Sequence, residues 1–521
     1  MKGNKSIIFF LLAGALALFS ACSDYLDVTP SDKQTADQLF ASKAGYYAAA
    51  NGIYNDLASE TLYGRQMSWE AIELISQRYV APSGNTTYQN LSAGNFTSYY
   101  ASTVLNSIWK KSYELILAAN LLMDRIDNHA QGLLTQREAG LMKGEMLAVR
   151  AFLHLDMLRL FGPCIPQNPK ALAIPYNESA DIAIYSLLPA DEVVAKIIRD
   201  LDAAETLLAS DPVIAEGPLA SEGENDESVQ LRYRQYRFNY YTVIALKARA
   251  YLWGEDKPNA LIQAKRLIED PVVAKHFPAV DPNRLLANAT NPDRVFSSEV
   301  LTGVYVKTRD LLASSYLSSS ANANQQLQPH ATFVSAVLFN HLLLRTNETA
   351  DYRFQSQWEA AGGTGARGHV LTKYNAIDKP DPTDEDSEYF YAKMIPLVKL
   401  QEMYYIAAEC EPESVDQLKW YDESRERRGL SPLLGVKISQ LSPEEIEQIK
   451  PMMPQIESYF PMFLNQEYLR EFYGEGQSYY RFKRVDAWGY GYGFVSPYDS
   501  GVSQQGMATL GIPPIPEGEM K

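Results

Sequence analysis

The sequence predicts a mainly α fold in which short helical pairs pack against a loop-rich part. Three observations predict it. Apolar residues recur at helical spacing in several separate segments, the stretches between them are long and rich in Gly, Pro, Asn, Ser and Thr, and aromatic residues are frequent in those stretches.

The helical segments follow in chain order. Trp109 to Ile126 and Arg137 to Phe161 form a first pair, and Asp191 to Leu208 carries a stripe of Val194, Ile197, Ile198, Leu201, Ala204 and Leu208. From Asn239 to Trp253, the apolar stripe is Tyr241, Ile244, Ala245, Ala248, Tyr251 and Leu252, with Lys247 and Arg249 off it. Pro258 opens the next helix at its first turn, where a missing N–H costs nothing, and this helix buries Ala260, Leu261, Ala264, Leu267 and Ile268. Small residues at the crossing, Ala248 against Ala260 or Ala264, allow a close hairpin that resembles one tetratricopeptide repeat. Lys399 to Cys410 and Asp416 to Arg428 make another pair. The spacing between pairs is uneven, so the scaffold is repeat-like rather than a regular solenoid.

Residues 79–103, 209–236, 271–335 and 355–392 are the irregular stretches, and loops of such length are uncommon unless functional. Two tracts, Ser221 to Ser228 and Asp381 to Glu388, are acidic and read as solvated loops. Hard carboxylate oxygens would suit calcium there, but no ligand spacing singles out a site. Gly363 to Gly368 satisfies G-x-G-x-x-G, yet it follows Trp358-Glu359-Ala360-Ala361 with no βαβ unit around it, so it reads as a flexible turn.

At the N-terminus, Lys2 and Lys5 precede an apolar run from Ile7 to Phe19, then Ser20-Ala21 and Cys22. This is the pattern of a cleaved export signal, residues 1–21, with Cys22 as the lipid-bearing first residue of the mature chain. The run is shorter than the roughly 20 residues that span a bilayer. Phe19 stands where bacterial lipoprotein signals usually carry Leu, and the alternative is an ordinary secretory signal with a coincidental cysteine. The remaining cysteines, Cys164 and Cys410, cannot make a disulfide framework and read as separate buried thiols. A net charge of −16 argues against a nucleic-acid partner. Length alone would suggest about three domains.

Catalytic signatures are absent from the sequence. The six histidines are scattered, with no H-E-x-x-H, and no G-x-S-x-G or Walker loop occurs. No cofactor is expected, and the chain reads as a binding protein and not an enzyme. A glycosidase carboxylate pair, which needs a separation of roughly 5 to 9.5 Å, leaves no mark in a sequence, so a hydrolase stays as a remote reading. The positive signal is aromatic: 34 Tyr, 19 Phe and 6 Trp, many of them in the irregular stretches. Tyrosine and tryptophan offer rigid faces with polar tips that suit sugars or peptide side chains, while the same rings also serve to pack loops. From loop position and ring chemistry, Arg78, Tyr79, Tyr88, Tyr316 and Trp358 are the candidate ligand-binding residues, with Trp358 and Tyr88 expected as exposed rings.

Several stretches together resemble the SusD/RagB family of outer-membrane nutrient-binding lipoproteins. They begin with Cys22 to Pro30, continue through Trp109, Asn120, Gly144 to Phe152 and Arg159 to Pro163, then Asp351-Tyr352-Arg353, a helix Ile395 to Leu400 leading to Ala407-Ala408-Glu409, and Arg425 to Leu430. Glu467 to Gly476 with Tyr480 to Arg484, and Ile512 to Glu517, resemble the C-terminal signature and closing segment. The resemblance implies one domain over 22–521, with about four repeat-like helical pairs against a ligand-binding part. It implies a lipid anchor on the outer face of the outer membrane and a SusC-like TonB-dependent transporter as partner. The cargo it implies is an oligosaccharide or, alternatively, a peptide. Gly144 to Arg150 and Arg470 to Arg484 are then core and ion-pair residues, and no ligand residue carries over by motif.

Overall fold

The computed structural model describes residues 36–163, 165, 168–218, 231–285, 291–341, 347–361, 368–378, 389–485 and 512–519. The signal segment with Cys22, Cys164, both acidic tracts and most of the Gly363 to Gly368 turn lie outside the described residues. Two compact units are distinguished, Met1–Ala49 and Ala50–Lys521, the division falling within the helix Lys43–Leu57. In the first, the short helix Ala36–Leu39 leads to Phe40, whose ring meets that of Tyr46 at 5.0 Å between centroids.

The second unit is mainly α. Its principal helices are α1 (Tyr99–His129), α2 (Gln136–Phe161), α3 (Ala190–Leu207), α4 (Tyr240–Trp253), α5 (Lys257–Ile268), α6 (Leu400–Cys410), α7 (Ser414–Glu426), α8 (Met453–Phe472) and α9 (Ser478–Val485). From α1 to α7 each packs on the next in chain order, as the repeat-like reading requires. Local chemistry sets the ends. Ser98 caps α1 and Asn239 caps α4 through their side chains, while Thr135 and Glu138 form a capping box that opens α2. Gly162-Pro163 stops α2, since proline cannot continue the helix. Ala248, Ala260 and Ala264 are all fully buried at the α4–α5 crossing, which lets these two helices approach closely. Gly144 does the same for α2 and α3: a Cβ there would lie 2.8 Å from Leu208 Cγ.

Segment 394–399 departs from the sequence reading. Ile395 to Leu400 was expected as a helix; instead Met394–Lys399 is a strand, β4, paired antiparallel with β1 (Val300–Tyr305). All six of its residues are buried, and Ile395 and Val398 are β-branched, so a continuous apolar run here marks a covered strand. Pro396, which has no N–H to donate, lies opposite Gly303 beside a register shift. A second departure concerns the Gly363 to Gly368 turn, which does follow a strand: β2 (Trp358–Ala360) and β3 (His369–Leu371) pair antiparallel around it. That arrangement is a hairpin and not a dinucleotide-binding crossover.

Buried ion pairs tie α8 and the residues just after α7 to the loop-rich part. Arg428 donates to both oxygens of Glu471 at 2.7 and 2.9 Å and to both of Glu299 at 2.9 and 2.8 Å. Arg353 donates to Asp351 and, at 2.7 Å, to Glu467, while Arg470 reaches Glu348 at 2.6 Å. Burial works against each of these charges. The facing cations nevertheless hold Glu467 down at about 2 and Glu471 well below the usual carboxylate range. The expectation that Arg470 to Arg484 is scaffold agrees with this placement. Cys410 is a buried free thiol whose pKa burial raises to about 12.

Candidate functional site

Three segments of the second unit meet at a cavity of about 330 Å³. The wall is built first by the segment after the short helix Ala71–Ile75. There Gln77 adopts φ +57°, a left-handed conformation uncommon for a residue with a side chain. That turn sends Arg78 and Tyr79 inward and leaves Val80 outside, 53% exposed. Val80 N–H then donates to Gln328 O at 2.9 Å, tying this wall to the next one, residues 323–331. The third wall is the β2–β3 hairpin, where Ala361 N–H donates to Gly368 O at 3.0 Å.

The cavity is lined by Val80, Pro82, Gln326, Gln328, His330 and His369 together with Pro329, three alanines and Gly368. Among the described residues, no lining side chain is a carboxylate, ammonium or guanidinium. Burial lowers the His369 pKa, which keeps that imidazole neutral at pH 7. The described lining therefore presents carboxamides and imidazoles, whose nitrogens and oxygens both donate and accept hydrogen bonds.

Behind this lining lies an aromatic layer centred on Tyr473. Its ring meets Trp358 edge-on at 4.9 Å and Tyr79 at 5.6 Å, and its hydroxyl donates to Arg78 O at 2.5 Å. The Arg78 guanidinium sits over Phe333 at 5.5 Å, and burial lowers its pKa to about 10. Tyr88 and Tyr316 belong to an adjoining cluster. The Tyr316 ring packs on Trp69 at 5.6 Å under the Arg65 guanidinium, and Arg65 pairs with Glu70 at 2.6 Å, the carboxylate that faces the Tyr88 hydroxyl.

The Gly474 turn joins the two clusters. At φ +75° it takes a conformation that favours glycine, and a Cβ there would lie 2.8 Å from Leu371 Cδ2 and 3.7 Å from Trp69 Cβ. Glu73 accepts from the N–H groups of Gly474 and Gly476, and burial pushes its carboxyl up to about 7.

All five candidate residues thus belong to one region, but their exposure differs from expectation. Arg78, Tyr79, Tyr88 and Trp358 are between 2% and 6% exposed, and only Tyr316 is half-buried. Trp358 and Tyr88 are not exposed rings. Trp358 turns beneath its own loop and Tyr88 lies on the buried face of the short helix Thr86–Ser92, because an aromatic face gains more from a covered neighbour than from water. Two of their polar tips, Tyr79 Oη and Trp358 Nε1, are buried without a hydrogen-bond partner among the described residues. The cavity-lining Gln326, Gln328, His330 and His369 were missed. Their only sequence signal is a run of amides and a histidine, Asn324 to His330, inside a stretch already marked as irregular. Tyr99 and Tyr100, 79% and 48% exposed, are the surface rings of the neighbouring segment.

Residues 24–216 match the sequence profile of a SusD-like family described as starch-binding and associating with the outer membrane. A SusD-like protein P2 of Formosa agariphila is 27% identical over 212 residues, 40% of this chain and 38% of the relative. A SusD-like protein of Bacteroides ovatus is 24% identical over 236 residues, 43% of this chain and 40% of that one. Over residues 24–216 the chain is thus similar to the SusD-like family. The matches cover about two fifths of these relatives' length, and the fold likeness extends further. A SusD-like carbohydrate binding protein of Bacteroides vulgatus superposes with a TM-score of 0.56 at 18% identity, covering 85% of this chain and 84% of the other. For surface glycan-binding protein A of Bacteroides uniformis the TM-score is 0.58 at 15% identity, covering 85% and 89%. At such identities the likeness concerns the fold, and this SusD-like chain shares its helical scaffold with both.

Among the described residues, no helix is long and apolar enough to cross a membrane, and no group of three or more His, Cys, Asp or Glu could hold a metal ion.

Proposed function

We propose that this protein is a non-catalytic glycan-binding lipoprotein of the outer membrane that passes oligosaccharides to a SusC-like TonB-dependent transporter. In this reading residues 22–521 act as one SusD-like domain, held to the outer face of the membrane by lipid on Cys22. The carrying observation is the amide- and imidazole-lined cavity. A ligand rich in hydroxyls presents donors and acceptors in alternation, and carboxamides and the neutral His369 imidazole answer both without desolvating a charge. The cavity lies near the small end of ligand pockets, which run from about 300 to 1,000 Å³, so it suits the end of a chain better than its whole length. Further rings of a longer glycan would lie along the loop surface outside. Trp358 and Tyr79 contribute by stiffening the wall and by offering their buried tips to a group that enters deeply. The starch-, carbohydrate- and glycan-binding descriptions of the family and of two structural relatives agree with a sugar ligand.

The test is substitution in the lining. Gln328→Ala and His369→Ala each remove one polar partner of the ligand, and each is expected to weaken oligosaccharide binding by about 0.5–1.5 kcal/mol, roughly 2- to 13-fold, by calorimetry. Unchanged affinity in both variants would move the site elsewhere.

A further inference from the structure

A second, smaller crevice lies where five elements of the scaffold converge, apart from the cavity above. It holds about 30 Å³ and is lined by Arg159 of α2, Arg249, Leu252 and Trp253 of α4, Glu402 of α6, Tyr468 of α8, and Gln477, Tyr480, Arg481 and Arg484 in and before α9. That volume admits one water-sized occupant and little more. Four guanidiniums thus face one carboxylate within the lining.

The hydrogen-bond inventory says what such an occupant must be. Arg249 gives Nε and Nη2 to the Glu402 carboxylate at 2.9 and 2.5 Å, and Arg159 gives Nη1 to Gln477 Oε1 at 3.1 Å and Nη2 to Asp156. Arg249 Nη1, Arg159 Nε and Trp253 Nε1 remain buried with no partner among the described residues. The three residues are 4%, 3% and 3% exposed. The Arg159 guanidinium lies 4.0 Å from the ring centroid of Tyr480, whose hydroxyl is likewise buried without a partner, and Tyr480 is also within Coulombic range of Arg249. Guanidinium and indole nitrogens can only donate, so the three groups call for an acceptor. A water would offer two lone pairs to three donors and bring two protons of its own. For those protons the lining offers Glu402 and Gln477, which already accept from Arg249 and Arg159, and the Tyr480 hydroxyl. A halide accepts from all three and brings none.

We propose that this crevice binds a single monovalent anion of chloride size, which joins α2, α4 and α9 at the centre of the helical scaffold. Binding stabilises the folded chain by mass action, because the unfolded chain has no such constellation. The site is structural and independent of the glycan reading.

Two measurements on the full mature chain test it. Crystals soaked in sodium bromide are expected to show one anomalous peak in the crevice, within hydrogen-bond reach of Arg249 Nη1, Arg159 Nε and Trp253 Nε1. At fixed ionic strength, the melting temperature is expected to rise with chloride or bromide relative to sodium gluconate, whose anion is too large to enter. Trp253→Phe removes one donor while keeping a ring in place, and should raise the halide concentration for half-maximal effect by several-fold. An ordered water with no bromide signal would overturn the proposal. So would equal melting temperatures in bromide and gluconate, or an unaltered halide response in Trp253→Phe.

Discussion

Replacing Trp358 separates what its ring does for the fold from what its nitrogen does for a ligand. The side chain is 6% exposed, its ring packs edge-on against Tyr473 at 4.9 Å, and Nε1 is buried without a partner. Trp358→Ala removes the whole ring from a covered site, a change that typically costs about 3–5 kcal/mol. It therefore cannot be read as a binding variant. Trp358→Phe keeps a ring against Tyr473 but deletes the unpartnered donor, whose burial costs roughly 1–3 kcal/mol. Lost packing and the relieved polar group oppose one another, so its net stability should stay within about 1.5 kcal/mol of wild type. If a bound sugar accepts from Nε1, Trp358→Phe loses one hydrogen bond and binds roughly 2- to 13-fold more weakly. Urea unfolding followed by circular dichroism reads the first quantity and titration calorimetry the second. Should Trp358→Phe be as unstable as Trp358→Ala, the nitrogen has a partner after all. Should it bind like wild type, Trp358 belongs to the wall and not to the site.

Stability should peak in mild acid. Burial pushes Glu73 and Asp422 up to about 7 from 4.5 and 3.8, so the folded state holds their protons more tightly than the unfolded chain, and stability rises as pH falls from about 7 towards 4.5. Glu409 and Glu467 are held down at about 2, so their contribution is full above about 4.5 and is lost as pH falls towards 2. Each window amounts to a few kcal/mol at most. Urea midpoints at pH 8, 5 and 3 check this, and a midpoint higher at pH 8 than at pH 5 contradicts it. At the N-terminus, Cys22→Ala should release the protein from membranes or leave the uncleaved precursor attached. An unlipidated N-terminus on membrane-derived wild-type protein, seen by intact mass, would remove the anchor from the account.

The helices were legible because their signals are local. Asn239, Asp256 and Thr135 cap the helices that follow them, and stripes such as Ile197, Leu201 and Ala204 end buried. Periodicity was less sure about which neighbours share the face: Val193 is buried where Val194 was expected, and Val194 is half-buried. Strand β4 escaped because a short apolar run has no period to distinguish a covered strand from a helix. The site was legible only as a region. Its geometry rests on contacts between residues nearly four hundred positions apart, such as Tyr473 with Arg78 and Gly474 with Glu73, and no local pattern encodes these. Ring exposure was misjudged for the same reason. A tyrosine in an irregular stretch reads identically whether it faces solvent or, like Tyr79, folds under its own loop onto a distant residue.

The most direct measurement is a binding panel with the wild-type chain, in which soluble polysaccharides and purified oligosaccharides are run beside a peptide library of similar size. The account predicts saturable binding of at least one uncharged glycan, no capture of peptides, and recovery of the bound glycan intact after long incubation. Capture of peptides with no glycan bound would give the amide- and imidazole-lined cavity to the peptide reading, and turnover that survives repurification and vanishes with one carboxylate substitution would make the protein an enzyme.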